Sequence, residues 1–137
     1  MSTTAVELLA IRWVARVLAL ALFVFWGAFF LEHLIEWFLH PAKGFPPFWV
    51  WLMMLAHLGI LLGLLALWKW EVAGSLLALA AALAFFGGLI IMGMLAGHRV
   101  GMLVLFLAVT MLPPVLTLVW HFAQTRSLSL PEPLPPT

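Results

Sequence analysis

The chain contains no cysteine and no tyrosine, and its acidic residues are all glutamates, with no aspartate anywhere. Without cysteine there are no disulfides, no thiolate metal sites and no cysteine nucleophile. Without aspartate a catalytic histidine loses its commonest orienting partner, although glutamate can substitute. Charge of either sign is scarce: six Lys and Arg and five acidic residues in 137, for a net charge of +1. Such a chain has no basic field to attract nucleic acid, so no nucleic-acid partner is expected. Nucleophile elbows, phosphate-binding glycine loops and nucleotide fingerprints are missing too. The expectation is a protein that is not an enzyme.

What is present is apolar. Hydrophobic residues make up 66% of the chain and charged residues 8%, against roughly 45–50% and 25% in soluble domains. A chain of this length, enough for one domain, has too little interior to hide that much apolar surface, so the excess must face lipid. Four apolar segments predict four transmembrane helices, at about 7–39, 48–68, 71–96 and 99–122. Each of the last three exceeds the ~20 residues that cross a ~30 Å hydrocarbon core. The first has a strictly uncharged stretch of fifteen residues, Val17 to Leu31, only ~22 Å of helix. Arg12 and Arg16 precede it, and no Ala-x-Ala cleavage pattern follows Phe30. It reads as a retained first span with snorkelling arginines and not as a removed secretory signal.

Connections between spans are short. His40 to Pro47 forms a proline-rich turn, Lys69-Trp70-Glu71 a second and Gly97-His98-Arg99 a third. Tight links force neighbouring helices antiparallel, which predicts an all-α, integral-membrane, four-helix up-down bundle covering residues 1–122. The placement of Arg12, Arg16, Lys69 and Arg126 against Lys43 and Arg99 puts both termini on the cytoplasmic side of a bacterial inner membrane. Seven of the eight tryptophans fall at predicted interfaces, and only Trp26 lies mid-span. Residues 123–137, rich in Pro and Ser, are expected to form a disordered cytoplasmic tail. Gly59 and Gly63 on the second helix, with Gly74, Gly87, Gly88 and Gly93 on the third, suit close helix packing in lipid. Pro113-Pro114 removes two backbone donors and predicts a kink, with freed carbonyls near Val109 and Thr110 that the Thr110 hydroxyl could satisfy.

One cluster invites a chemical reading. Glu32, Glu36 and His40 repeat every fourth residue, and His33 stands three before Glu36, so all four share one broad helix face. His57 lies nine residues into the second span, the one ionisable residue well inside a helix, with Glu32 or Glu36 as the expected partner. His98 occupies the outer turn on the same side. Together Glu32, His33, Glu36, His40, His57 and His98 are candidate ligands for a divalent metal such as zinc or copper, candidate proton-relay groups, or a pair of histidines for haem b. The plainer reading is a boundary cluster plus one hydrogen-bonded core histidine, and that reading is preferred. Only one Glu/His pair is present, in reversed order, which counts against di-iron chemistry. Glu71 and His121 read as structural residues, favoured at a helix N-terminus and C-terminus respectively.

The elements Arg12-Trp13-Val14-Ala15-Arg16 and Trp68-Lys69-Trp70-Glu71, with Gly74 following, resemble a group of small uncharacterised bacterial four-helix membrane proteins. Those carry Arg-Trp-x-Ala-Arg and Trp-Lys-Trp-Glu followed by a double glycine; here Ser75 replaces the second glycine. The resemblance implies an architecture and no mechanism. Small size, helices apolar on nearly all sides and a tail available for docking lead to one expectation. It is a non-enzymatic accessory or assembly subunit of a larger bacterial membrane complex, of which a respiratory oxidase or nitric oxide reductase would be an example. Its partners would be the lipid bilayer and other membrane-protein subunits. The competing class is an independent metal-, proton- or haem-binding membrane protein that uses the Glu/His cluster.

Overall fold

The computed structural model describes residues 3–39 and 46–128, and the side chains of 6–39 and 46–126. Four α-helices account for nearly all of them: α1 (Thr3–Leu39), α2 (Phe48–Ala66), α3 (Glu71–Leu95) and α4 (Gly101–Leu128). Each is long and apolar enough to cross a membrane. At ~1.5 Å per residue, α2 is close to the ~30 Å hydrocarbon thickness and α1 is nearly twice as long. In lipid a helix can span because all its backbone bonds are made within the segment, and the described residues form no strands.

Helix α2 packs against α3, α3 against α4, and α1 against both α4 and α2. The tightest seam joins α2 to α3 through the predicted glycines. A Cβ added at Gly63 would sit 2.5 Å from the Ala78 backbone nitrogen, and one at Gly59 would sit 2.9 Å from Ala81 Cβ. One at Gly74 would meet the backbone of Ala66 and Leu67 at 2.7 Å and 2.5 Å. These positions admit only a hydrogen, so backbone approaches backbone and dispersion replaces the hydrophobic effect that lipid cannot supply. Around the seam lies a core of Ala19, Ile60, Leu64, Ala82 and Phe86, each 1% exposed or less.

Helix ends follow local chemistry. α3 stops where Gly97 takes a left-handed φ of +73°. There His98 N donates to Gly93 O at 2.9 Å and Gly97 N to Met94 O at 3.1 Å, the paired bonds of a glycine-closed helix end. α4 continues through 123–128, six residues that the sequence pattern assigned to the tail. Ala123-Gln124-Thr125-Arg126 are adequate helix formers, and the first breaker is Pro131. Residues 129–137, like His40 and Lys43, lie outside the described residues. Pro113 and Pro114 sit within α4 and are fully buried. The Thr110 hydroxyl does not serve the carbonyls they free: it donates to Phe106 O at 2.7 Å, while Thr117 Oγ1 donates to Pro113 O at 2.9 Å. A hydroxyl in a helix finds the carbonyl one turn back most easily, and that preference decides the outcome.

Candidate functional site

The bundle has two ends of different character. At the end holding the start of α1, the arginines do more than mark an interface. Glu71 Oε1 accepts from Arg12 Nε at 3.0 Å and stands 2.8 Å from Arg12 Nη2, and it accepts from Arg16 Nη2 at 3.3 Å. Arg16 also donates to the Trp68 carbonyl at 3.2 Å. His121 Nδ1 lies 3.9 Å from Glu71 Oε2, and the Arg12 guanidinium covers the Trp120 ring at 4.5 Å. Glu71 therefore joins α1, α3 and α4, a role its position at a helix start did not disclose. Opposite charges in a half-buried, water-poor setting hold well, although Arg16 Nε is itself buried without a hydrogen-bond partner.

The other end is aromatic and hollow. A cavity of about 520 Å³ is lined by residues of all four helices, within the ~300–1,000 Å³ typical of small-molecule sites. Trp26 forms its floor. This mid-span tryptophan is 5% exposed, and its Nε1 donates to Thr110 Oγ1 at 3.1 Å. Its ring meets Phe86 at 5.3 Å and Phe106 at 5.7 Å edge to face, the geometry that aromatic quadrupoles favour. Its departure from the interfacial pattern of the other tryptophans was the one sequence signal that could have revealed this.

Two of the six candidate residues line this cavity: His33 and His57. His57 lies at the midpoint of α2 and is 3% exposed. No carboxylate encloses it. Its ring is surrounded by Phe85 at 4.9 Å, Phe30 at 5.3 Å and Trp26 at 5.8 Å, and its Nε2 has no hydrogen-bond partner. Contact with Trp26 and Phe30 sets His57 deeper than His33, by about one helical turn. His33 Nδ1 is 2.8 Å from the Phe29 carbonyl, and its ring stacks on Phe29. A carbonyl only accepts, so Nδ1 carries the hydrogen and Nε2 of the neutral ring presents a lone pair.

The remaining candidates separate from this pair. Glu32 and Glu36 are exposed on α1 and line no part of the cavity; His98 is exposed in the turn between α3 and α4. Among the described residues no three His or Glu side chains converge where a metal ion could be held. The fit to haem is also poor. Two imidazoles face the cavity, but no Lys or Arg lines it, so acidic propionates would enter without a counter-charge. What the geometry offers is an uncharged aromatic chamber with an unmet imidazole nitrogen buried in its wall. No protein-family model, curated protein or solved structure matches this chain.

Proposed function

We propose that the chain is a non-enzymatic multi-pass protein of the bacterial inner membrane whose cavity holds a small lipid-soluble molecule. In this reading the helices form an antiparallel up-down bundle with both termini cytoplasmic, and the cavity lies in the outer half. The observation that carries it is His57 Nε2, a buried polar atom without a partner beside an apolar space. A buried imidazole left unmet costs about 1–3 kcal/mol, and a plain packing residue at that position would avoid the cost. The experiment is extraction. Chain purified in mild detergent is extracted with organic solvent and analysed by mass spectrometry, beside a Leu89→Trp variant that fills the cavity. A stoichiometric small molecule lost in the variant supports the reading. Equal extracts from the two proteins count against it, as would a Soret band or stoichiometric metal in the intact protein.

A second reading makes the chain an accessory or assembly subunit of a larger membrane complex such as a respiratory oxidase or nitric oxide reductase. It is favoured by α1, which is the least buried of the four helices and carries an exposed row through Val17, Val24, Leu31 and Phe38. Affinity capture from membranes tests it: a stoichiometric partner lost on Val24→Trp supports the reading, and a chain that purifies alone opposes it.

A further inference from the structure

We infer that the cavity takes a flat, neutral ring bearing an oxygen, a quinone or its quinol, with that oxygen hydrogen-bonded to His57 Nε2. This rests on the cavity being a small-molecule site, and it names the chemistry of the occupant.

The walls select for a ring. Phe25, Trp26, Phe29, Trp37, Phe85 and Phe106 are among the lining residues, and aromatic faces and edges hold flat guests better than they hold loose chains. Met53 and Met54 add polarizable sulfur, which packs well against ring edges. The electrostatics exclude charged guests. With no Lys, Arg or Glu in the lining, a carboxylate, phosphate or ammonium group would be desolvated without compensation. Fatty acids and phospholipid headgroups are thereby poor occupants.

Polarity inside the cavity selects for oxygen. The His57 ring is hydrogen-bonded to the Trp26 backbone, and with Nε2 unpartnered that bond falls to Nδ1. As it stands, Nε2 therefore accepts from a ring hydroxyl; it donates to a ring carbonyl only in the other tautomer, which gives up the bond to Trp26. A quinol presents the first and a quinone the second. One histidine can therefore meet either form, the quinol while keeping its bond to Trp26 and the quinone by exchanging it. His33, whose Nδ1 is committed to Phe29, contributes a second lone pair to the same cavity. Access suits a molecule dissolved in the bilayer, because His57 sits at the middle of α2, where the lipid is most apolar.

The test uses the full chain in lipid nanodiscs with tetramethylbenzoquinone as the probe. Trp26, Trp37 and Trp49 line the cavity, so bound quinone quenches their fluorescence saturably. Tetramethylhydroquinone is expected to compete, while tetramethylbenzene, the same ring without oxygen, competes at least ~10-fold more weakly, which is one hydrogen bond's worth of affinity. His57→Phe keeps the ring and removes the polar atom; it should weaken quinone binding ~10-fold with helix content and melting temperature retained. Tetramethylbenzene competing as well as the hydroquinone, or His57→Phe binding undiminished, overturns the inference. If His57→Phe does not fold, Leu89→Trp takes its place: lost quenching in a folded variant supports the assignment, and retained quenching overturns it. Should quinone fail to bind while extraction yields another molecule that Leu89→Trp displaces, the ring assignment falls and the cavity reading stands. Empty extracts together with no binding defeat both.

Discussion

The two halves of the bundle solve the same problem in opposite ways. Toward the start of α1, small residues bring helices together until backbones touch, and one carboxylate ties three helices. Toward the end of α1, large rings hold the helices apart and leave space. Lipid gives little reward for apolar contact between helices, so close packing needs small residues or polar bonds. The first half has both, through Gly63 against Ala78 and Glu71 against Arg12 and Arg16. The aromatic half has the cross-helix bond from Trp26 to Thr110 and an imidazole nitrogen with nothing to bind. Rigidity and vacancy are divided between the ends. A molecule that binds at one end needs such a division, since the closed half holds the register that keeps the open half open.

Substitutions can break or sharpen that contrast. The largest effect is expected at Gly63→Leu, where the new side chain would enter the backbone of Ala78. A cost of about 3 kcal/mol or more follows from overpacking a site that cannot move aside, read as loss of the folded population in denaturant titration. Next is Glu71→Gln, which strands two guanidinium groups. A loss of about 2 kcal/mol is expected for charge-assisted bonds in a half-buried setting, with Arg12→Gln in the same background recovering part of it. The coupling between the two sites is the measurement that matters, and complete additivity would mean that the pair does not interact. Smaller is Trp26 with Thr110: a double-mutant cycle of Trp26→Phe and Thr110→Val should return about 0.5–1 kcal/mol. The smallest belongs to the open half. His57→Phe should leave stability unchanged or raise it by about 1 kcal/mol, because it removes an unsatisfied buried polar atom. A marked loss of stability there would show that the ring's bond to the Trp26 backbone outweighs the unmet nitrogen.

Much of this was legible in the sequence, and the limits have physical causes. Four spans follow from composition and length. The Gly59–Gly63 spacing pointed to a close seam, and His57 stood out because an ionisable residue inside a span is costly. The expectation that Glu32 or Glu36 would partner His57 rested on helix periodicity, which relates residues on one helix and says nothing about how that helix is rotated against the next. In the fold α1 turns Trp26 and Phe30 toward His57, and both carboxylates remain exposed. The Glu71 cluster escaped for a related reason. Arg12 and Glu71 are 59 residues apart, and each has a sufficient local explanation, one as an interfacial cation and the other as a helix N-terminal acid. The cavity has no signature on any single helix, because it is the space that four of them leave.

The bond from Trp26 to Thr110 joins residues separated by 84 positions in the chain. At synthesis rates of ~5–20 residues per second, about 4–17 s pass between the appearance of the tryptophan and that of the threonine. Throughout that interval α1 stands in the membrane with its indole N–H unanswered, and for about the first half of it, until Glu71 is made, its arginines lack their carboxylate. Closure of the bundle is thus an act of the last helix, and any factor that shelters α1 during those seconds would act on the yield of folded protein while leaving its final stability untouched.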